Sequence, residues 1–171
     1  DPSNIMVTQD RKIKLIDFGV TKTIQAYNGP KLTQVGAIIG KPGYAAPEMI
    51  IGDISNHNAT TDLYSLGVMM YEMFTGILPF QGDDAQVMHA HLHQPLPVSN
   101  INDRTIRNVV AKATAKSQSE RFQDTTSLMA ALESTTDTVQ SKHAVSKDLL
   151  AMVIGGVIGV AIGLGMYFIM G

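Results

Sequence analysis

Residues 40–80 read GKPGYAAPEMIIGDISNHNATTDLYSLGVMMYEMFTGILPF, and the two ends of this stretch have opposite characters. The first end closes a run from Phe18 to Pro47 that carries Gly29-Pro30, Gly36, Gly40 and Pro42-Gly43 and holds no sustained helical or strand period. So long an irregular segment in a compact domain is usually functional. The other end is regular. From Thr61 onward Leu63, Leu66, Gly67, Met70 and Phe74 recur at three and four, and Val68, Met69 and Met73 fill the remaining faces. This pattern predicts a helix buried nearly all round.

Working outward, Ile5-Met6-Val7 and Ile13-Lys14-Leu15-Ile16 are β-prone runs separated by the polar turn Thr8-Gln9-Asp10-Arg11, which predicts a small hairpin. Weaker helical patterns follow at about 84–92, 103–115 and 125–132. The fold class is therefore mainly α, a helical bundle behind one β-hairpin. A chain of 171 residues accommodates one domain with a real core plus an appendage. A formal charge of −2 provides no basic field, which sets nucleic acid aside as a partner. The lack of cysteine excludes a disulfide framework and a thiolate metal cage. The chain opens on Asp1 without the charged and apolar regions of a signal peptide, so its start is expected to be a cut.

The appendage is legible. Residues 149–170 read LLAMVIGGVIGVAIGLGMYFIM without a charge, and about 22 residues make a helix of roughly 33 Å, the thickness of a bilayer core. The expected division is a globular domain over 1–133, a polar juxtamembrane linker over 134–148 and a transmembrane helix over 149–170. Lys142 and Lys147 precede this span and only Gly171 follows it, which places the domain on the cytoplasmic side of a single-pass cell-membrane protein. Ala151, Gly155, Gly159 and Gly163 recur every four residues, a seam that permits close approach of a second copy and hence a homodimer in the bilayer.

The chemistry sits at the hairpin. Asn4 lies just before the first strand and Asp17-Phe18-Gly19 just after the second, so an amide oxygen and a carboxylate share one edge. Two hard oxygen donors suit Mg²⁺, which takes its other ligands from water and phosphates. This pairing resembles the protein kinases, whose catalytic loop H-R-D-x-x-x-x-N and D-F-G motif each supply one magnesium ligand. Gly40 to Glu48 is similar to the G-T-P-x-Y-x-A-P-E segment that closes a kinase activation loop. Asp62 to Phe80 resembles the family's central helix and its exit, and Ala111-Lys112-Ala113 with Glu120-Arg121-Phe122 resembles its last helical segment. The motifs follow in order from Asp1 to Leu132, and the chain is identified as a member of the bacterial eukaryotic-like (Hanks-type) Ser/Thr kinases, as a C-terminal lobe.

The resemblance implies ATP and Mg²⁺ as cofactors, protein Ser/Thr hydroxyls as acceptors, and Asn4 and Asp17 as the metal and nucleotide-binding residues. It implies that Glu48 and Arg121 form a buried ion pair tethering the activation segment, and that Asp62, which also suits the positive end of the central helix as a cap, holds the catalytic-loop backbone. Thr21, Thr23 and Thr33 fall in the activation segment, where phosphate orders the loop by pairing with arginine. The catalytic base is expected upstream of Asp1. Without a Gly-rich loop, a strand lysine and its helix glutamate, these residues alone are expected to be non-catalytic.

Two positions depart from the family. Asp1 occupies the site of the catalytic-loop lysine, and Lys41 replaces the usual threonine after Gly40. A positive charge has moved between two positions that the kinase fold brings together, and some bacterial kinases look similar here. Either Lys41 contacts the transferred phosphate, or it only neutralises Asp1. The alternative reading of the whole protein is a membrane-tethered pseudokinase or scaffold. His89, His91 and His93 alternate, but only His89 and His93 share a helix face, with no cysteine or acidic pair to complete a metal site.

Overall fold

The computed structural model describes residues 1–16 and 41–139. Over these the chain forms β1 (Ile5–Val7), β2 (Ile13–Leu15), a short α1 (Pro47–Ile50), α2 (Ala59–Thr75), α3 (Asp84–His93), α4 (Arg104–Ala113) and α5 (Thr125–Val139). Short 3-10 turns at Pro2–Asn4 and Pro42–Tyr44 precede β1 and α1. The expected hairpin is antiparallel, with Ile5 opposite Leu15, Met6 opposite Lys14 and Val7 opposite Ile13. Its turn closes on Thr8, whose N–H donates to the Lys12 carbonyl at 2.8 Å and whose hydroxyl accepts the Lys12 N–H at 3.0 Å. Arg11 supplies the left-handed residue that the reversal needs, at φ 61°.

α2 is the axis of the core. Leu63, Tyr64, Val68, Met70 and Tyr71 have at most 1% of their surface exposed, so the helix is wrapped by protein over most of its length, as its pattern predicts. The start differs from expectation. Asn58, not Asp62, is the cap: its Oδ1 accepts the Thr60 N–H at 2.8 Å while the Thr61 hydroxyl accepts the Asn58 N–H at 3.2 Å. Asp62 stands in the first turn, on the exposed side, where its charge still complements the positive helix end. The cap must lie outside the helical residues to reach their free N–H groups, and Asp62 lies too far inside. Gly76 ends the helix in the left-handed conformation, φ 78°, which a glycine adopts without a Cβ penalty.

α4 crosses α2 at close range. A Cβ on Gly67 would lie 2.6 Å from Thr114 Cγ2 and 2.9 Å from Ala113 Cβ, so glycine at this point sets how near the two helices approach. Asp103 caps α4 by accepting the Thr105 and Ile106 N–H groups, both at 2.8 Å. The helix then turns Ile106, Val109, Val110 and Ala113 onto the core. Leu128 and Leu132 of α5 complete that cluster. Burying each such aliphatic side chain contributes about 1.5–3 kcal/mol, which is what holds these short helices in place.

α5 runs past Leu132 to Val139, into the stretch expected to be linker. No glycine or proline lies between Thr125 and Val139 to stop it. The expected membrane span at 149–170, with its seam residues, lies outside the described residues. Among the described residues no helix is long and apolar enough to cross a membrane.

Candidate functional site

At the hairpin edge the charge exchange becomes a contact. Lys41 Nζ lies 3.0 Å from Asp1 Oδ1 and donates to the Ser3 hydroxyl at 3.0 Å. Asp1 is held for this role because the same Oδ1 accepts the Ser3 N–H at 2.9 Å, capping the Pro2–Asn4 turn. The Lys41 side chain is 56% exposed, so the pair contributes about 0–1 kcal/mol to stability. Its value is positional. An ammonium has three N–H bonds, and Asp1 and Ser3 take two of them.

Asn4 ends the same turn, and its carbonyl accepts the Ile16 N–H at 3.0 Å. This bond extends the hairpin by one step and brings Asn4 beside the residue before Asp17. Asp17 itself, with Thr21, Thr23 and Thr33, lies outside the described residues. Asn4 carries the kind of hard amide oxygen that Mg²⁺ takes as a ligand. Among the described residues there is no group of three or more His, Cys, Asp or Glu arranged to hold a metal ion. His89 and His93 do face one another on α3, with ring centroids 4.6 Å apart.

Behind this edge, Glu48 and Arg121 meet in the interior. Arg121 Nη1 donates to Glu48 Oε1 at 2.8 Å and Nη2 to Oε2 at 2.9 Å. The remaining guanidinium hydrogens go to the carbonyls of Thr60, Ala115 and Lys116, and the plane lies over the Tyr64 ring with its carbon 4.8 Å from the centroid. Burial pushes the Glu48 carboxyl up, but the Arg121 hydrogen bonds and further donors outweigh it, and its pKa falls to about 2. The pair ties α1, and with it the end of the irregular segment, to α2 and to the loop before α5.

A second buried network was not foreseen from sequence. Tyr64, His91 and Lys116 join the interior of α2, α3 and the loop after α4: Tyr64 Oη lies 2.9 Å from His91 Nδ1, His91 Nε2 lies 3.1 Å from the Gly43 carbonyl, and Lys116 Nζ lies 3.1 Å from Tyr64 Oη. Beside it the Tyr44 hydroxyl donates to Glu72 at 2.7 Å, and burial first and then Glu72 push that hydroxyl's pKa up. The only sequence sign of His91 was its opposite phase to His89 and His93, which turns it inward.

A small hairpin, a proline turn and a helical core locked to that turn through a buried carboxylate and guanidinium fit part of a protein kinase fold. The protein kinase domain matches residues 1–147, and the chain belongs to the protein kinase family. A probable serine/threonine-protein kinase of Clostridium perfringens is 31% identical over 92% of this chain and 24% of its own length. The probable serine/threonine-protein kinase PknB of Lactococcus lactis is 34% identical over 75% of the chain and 20% of its own. Serine/threonine-protein kinase PknB of Mycobacterium tuberculosis is 37% identical over 77% and 21%. The chain thus spans about a fifth to a quarter of the length of these relatives.

Proposed function

We propose that this chain is the C-terminal lobe of a membrane-anchored Ser/Thr protein kinase, which transfers the γ-phosphoryl group of ATP to Ser or Thr hydroxyls of protein substrates. The observation that carries this reading is the meeting of Lys41 with Asp1 and Ser3, 3.0 Å from each. It joins the end of the activation segment to the end of the catalytic loop, the two segments between which phosphoryl transfer occurs in this family. Asn4 and Asp17 would hold Mg²⁺ and, through it, the nucleotide. The cation supplies charge neutralisation at the phosphates. Lys41 directs an N–H at the transferred group, Glu48 and Arg121 keep the segment docked, and phosphorylation of Thr21, Thr23 or Thr33 orders it. Residues 149–170 anchor the protein, with the kinase domain in the cytoplasm and the glycine seam pairing two copies.

The test uses the full-length protein with labelled ATP, Mg²⁺ and a mixed Ser/Thr/Tyr peptide library. Label on Ser or Thr is expected. Label confined to Tyr would overturn the acceptor class, and a folded protein that transfers nothing would favour the pseudokinase scaffold. Protease added to right-side-out vesicles should leave the domain uncut, and ready digestion would overturn the orientation.

A further inference from the structure

The turn Pro42–Tyr44 connects Lys41 to the Glu48 anchor, and its backbone carbonyls can each be traced. Lys41 O accepts the Tyr44 N–H and Pro42 O the Ala45 N–H, both at 3.1 Å, which are the bonds of the turn itself. Tyr44 O accepts the Ser65 hydroxyl at 2.8 Å. Among the described residues Gly43 O has no backbone partner, and it lies 3.1 Å from His91 Nε2. Gly43 is also where the backbone has most conformational freedom to lose. A side chain fully buried on α3 therefore holds that peptide.

The tautomer of His91 follows from its neighbours. A carbonyl oxygen only accepts, so Nε2 must carry the hydrogen. The other nitrogen faces the Tyr64 hydroxyl, and that oxygen already lies 3.1 Å from the Lys116 ammonium. Were Nδ1 protonated as well, the Tyr64 hydroxyl hydrogen would be turned from Nδ1 toward a group that only donates. The consistent arrangement is Lys116 to Tyr64, Tyr64 to Nδ1, and Nε2–H to Gly43. The charged and titratable groups facing the ring enforce it. Lys116 also donates to the His91 carbonyl at 2.7 Å, and Arg121, itself paired with Glu48, lies over the Tyr64 ring. Phe80 packs edge-on against the imidazole at 4.9 Å and supplies no acceptor. Burial first, and then Lys116, lower the His91 pKa to about 4.

We propose that His91 is a positioning residue for the segment carrying Lys41: held as the neutral Nε2–H tautomer by Tyr64 and Lys116, it fixes the Gly43 peptide, and through the Tyr44 N–H on the Lys41 carbonyl it fixes the place from which Lys41 reaches the hairpin edge. Its consequence for catalysis rests on the kinase reading above. Its consequence for the backbone does not.

The experiment uses full-length protein and keeps these apart. Long-range ¹H–¹⁵N correlation of the histidine rings should show His91 as Nε2–H and unprotonated down to a pH of about 5. An Nδ1–H ring, or one titrating as a free histidine, overturns the proposal. In His91→Leu, hydrogen exchange at the Tyr44 and Ala45 amides should quicken by about tenfold or more while α2 and α4 keep their protection. His91→Gln, which can present an N–H to Gly43, should stay within about threefold of wild type. Unchanged exchange in His91→Leu, or equal acceleration in both variants, overturns positioning in favour of packing. If the protein transfers phosphate, kcat should fall about tenfold in His91→Leu with KM for ATP unchanged, and His91→Gln should recover it. If it transfers none, the kinase reading fails and the exchange measurement still decides the role of His91. Should His91→Leu not fold, Tyr64→Phe replaces it: with Nδ1 left without the Tyr64 hydrogen bond, exchange at the Tyr44 and Ala45 amides should quicken while the ring stays Nε2–H, and unchanged exchange overturns the relay.

Discussion

Arg121 meets both carboxylate oxygens of Glu48 with its two terminal guanidinium nitrogens, at 2.8 and 2.9 Å, where neither residue has more than 6% of its surface exposed. A pair so placed gains little over an apolar pair of the same shape, but each partner is costly to leave alone. Arg121→Met should therefore destabilise the domain by about 3–5 kcal/mol, because Glu48 stays buried without its counter-charge. Glu48→Leu combined with Arg121→Met should lose much less than the sum of the single changes. Urea unfolding of the three variants measures this, and additive losses would mean that the ion pair is not one energetic unit.

The same pair and His91 both contribute to the acid limb of stability. Glu48 has a folded pKa of about 2, below its ordinary 4.5, so the stability it contributes is complete above 4.5 and is lost as pH falls toward 2. His91 has a folded pKa of about 4 against an ordinary 6.5. Between those values the unfolded chain binds a proton that the folded one refuses, so stability declines from about pH 6.5 downward and this contribution levels off near 4. Unfolding midpoints should fall in two stages, and His91→Gln should flatten the upper stage only. A midpoint constant from pH 7 to 5 in wild type would contradict the neutral buried imidazole.

Gly67→Ala should destabilise, although alanine is the better helix former by about 0.8–1 kcal/mol. The added methyl has no room against Thr114 and Ala113 of the α4 end, and such overpacking costs about 1–3 kcal/mol. Adding Thr114→Ser, which removes the methyl nearest to the new Cβ, should recover part of the loss. Thermal melting of the single and double variants distinguishes a tight crossing from a relaxed one.

The Lys41 and Asp1 exchange permits a rate measurement in full-length protein. If Lys41 serves the transferred phosphate, Lys41→Met should lower kcat by about 100-fold or more, on the scale of losing one charged transition-state donor. Asp1→Lys with Lys41→Thr, the common family arrangement, should restore much of it. If Lys41 only neutralises Asp1, the two positions should be coupled without a specific loss in kcat. A Lys41→Met protein with normal kcat would settle for the second account.

In the bilayer, Gly159→Ile should weaken self-association of the isolated 149–170 segment by about 1–2 kcal/mol if the four-residue seam is the contact. Gly156→Ile, off that face, should do less. Equal effects in a membrane dimerisation assay would remove the seam.

What could be read from sequence was what short-range physics encodes. The period of three and four from Leu63 to Phe74 required a wrapped helix, and the two β-prone runs around Thr8 to Arg11 required a hairpin, because side-chain periodicity follows directly from backbone geometry. The order of motifs from Asn4 to Arg121 pointed to the kinase family and to Glu48 with Arg121 as partners. Local ambiguity accounts for the errors at element ends. Asp62 and Asn58 are both good capping types four positions apart, and only the path of the chain into α2 selects Asn58; likewise nothing in 134–139 announces whether a polar run stays helical. The tertiary structure alone decided contacts that need two backbones at a fixed distance: Gly67 against Thr114, Lys41 on Ser3, and the relay from Lys116 through Tyr64 and His91 to Gly43. In that relay each residue is ordinary where it stands in the sequence. Its chemistry comes from burial and from neighbours 25 to 52 positions away along the chain, and packing, not local preference, brings those together.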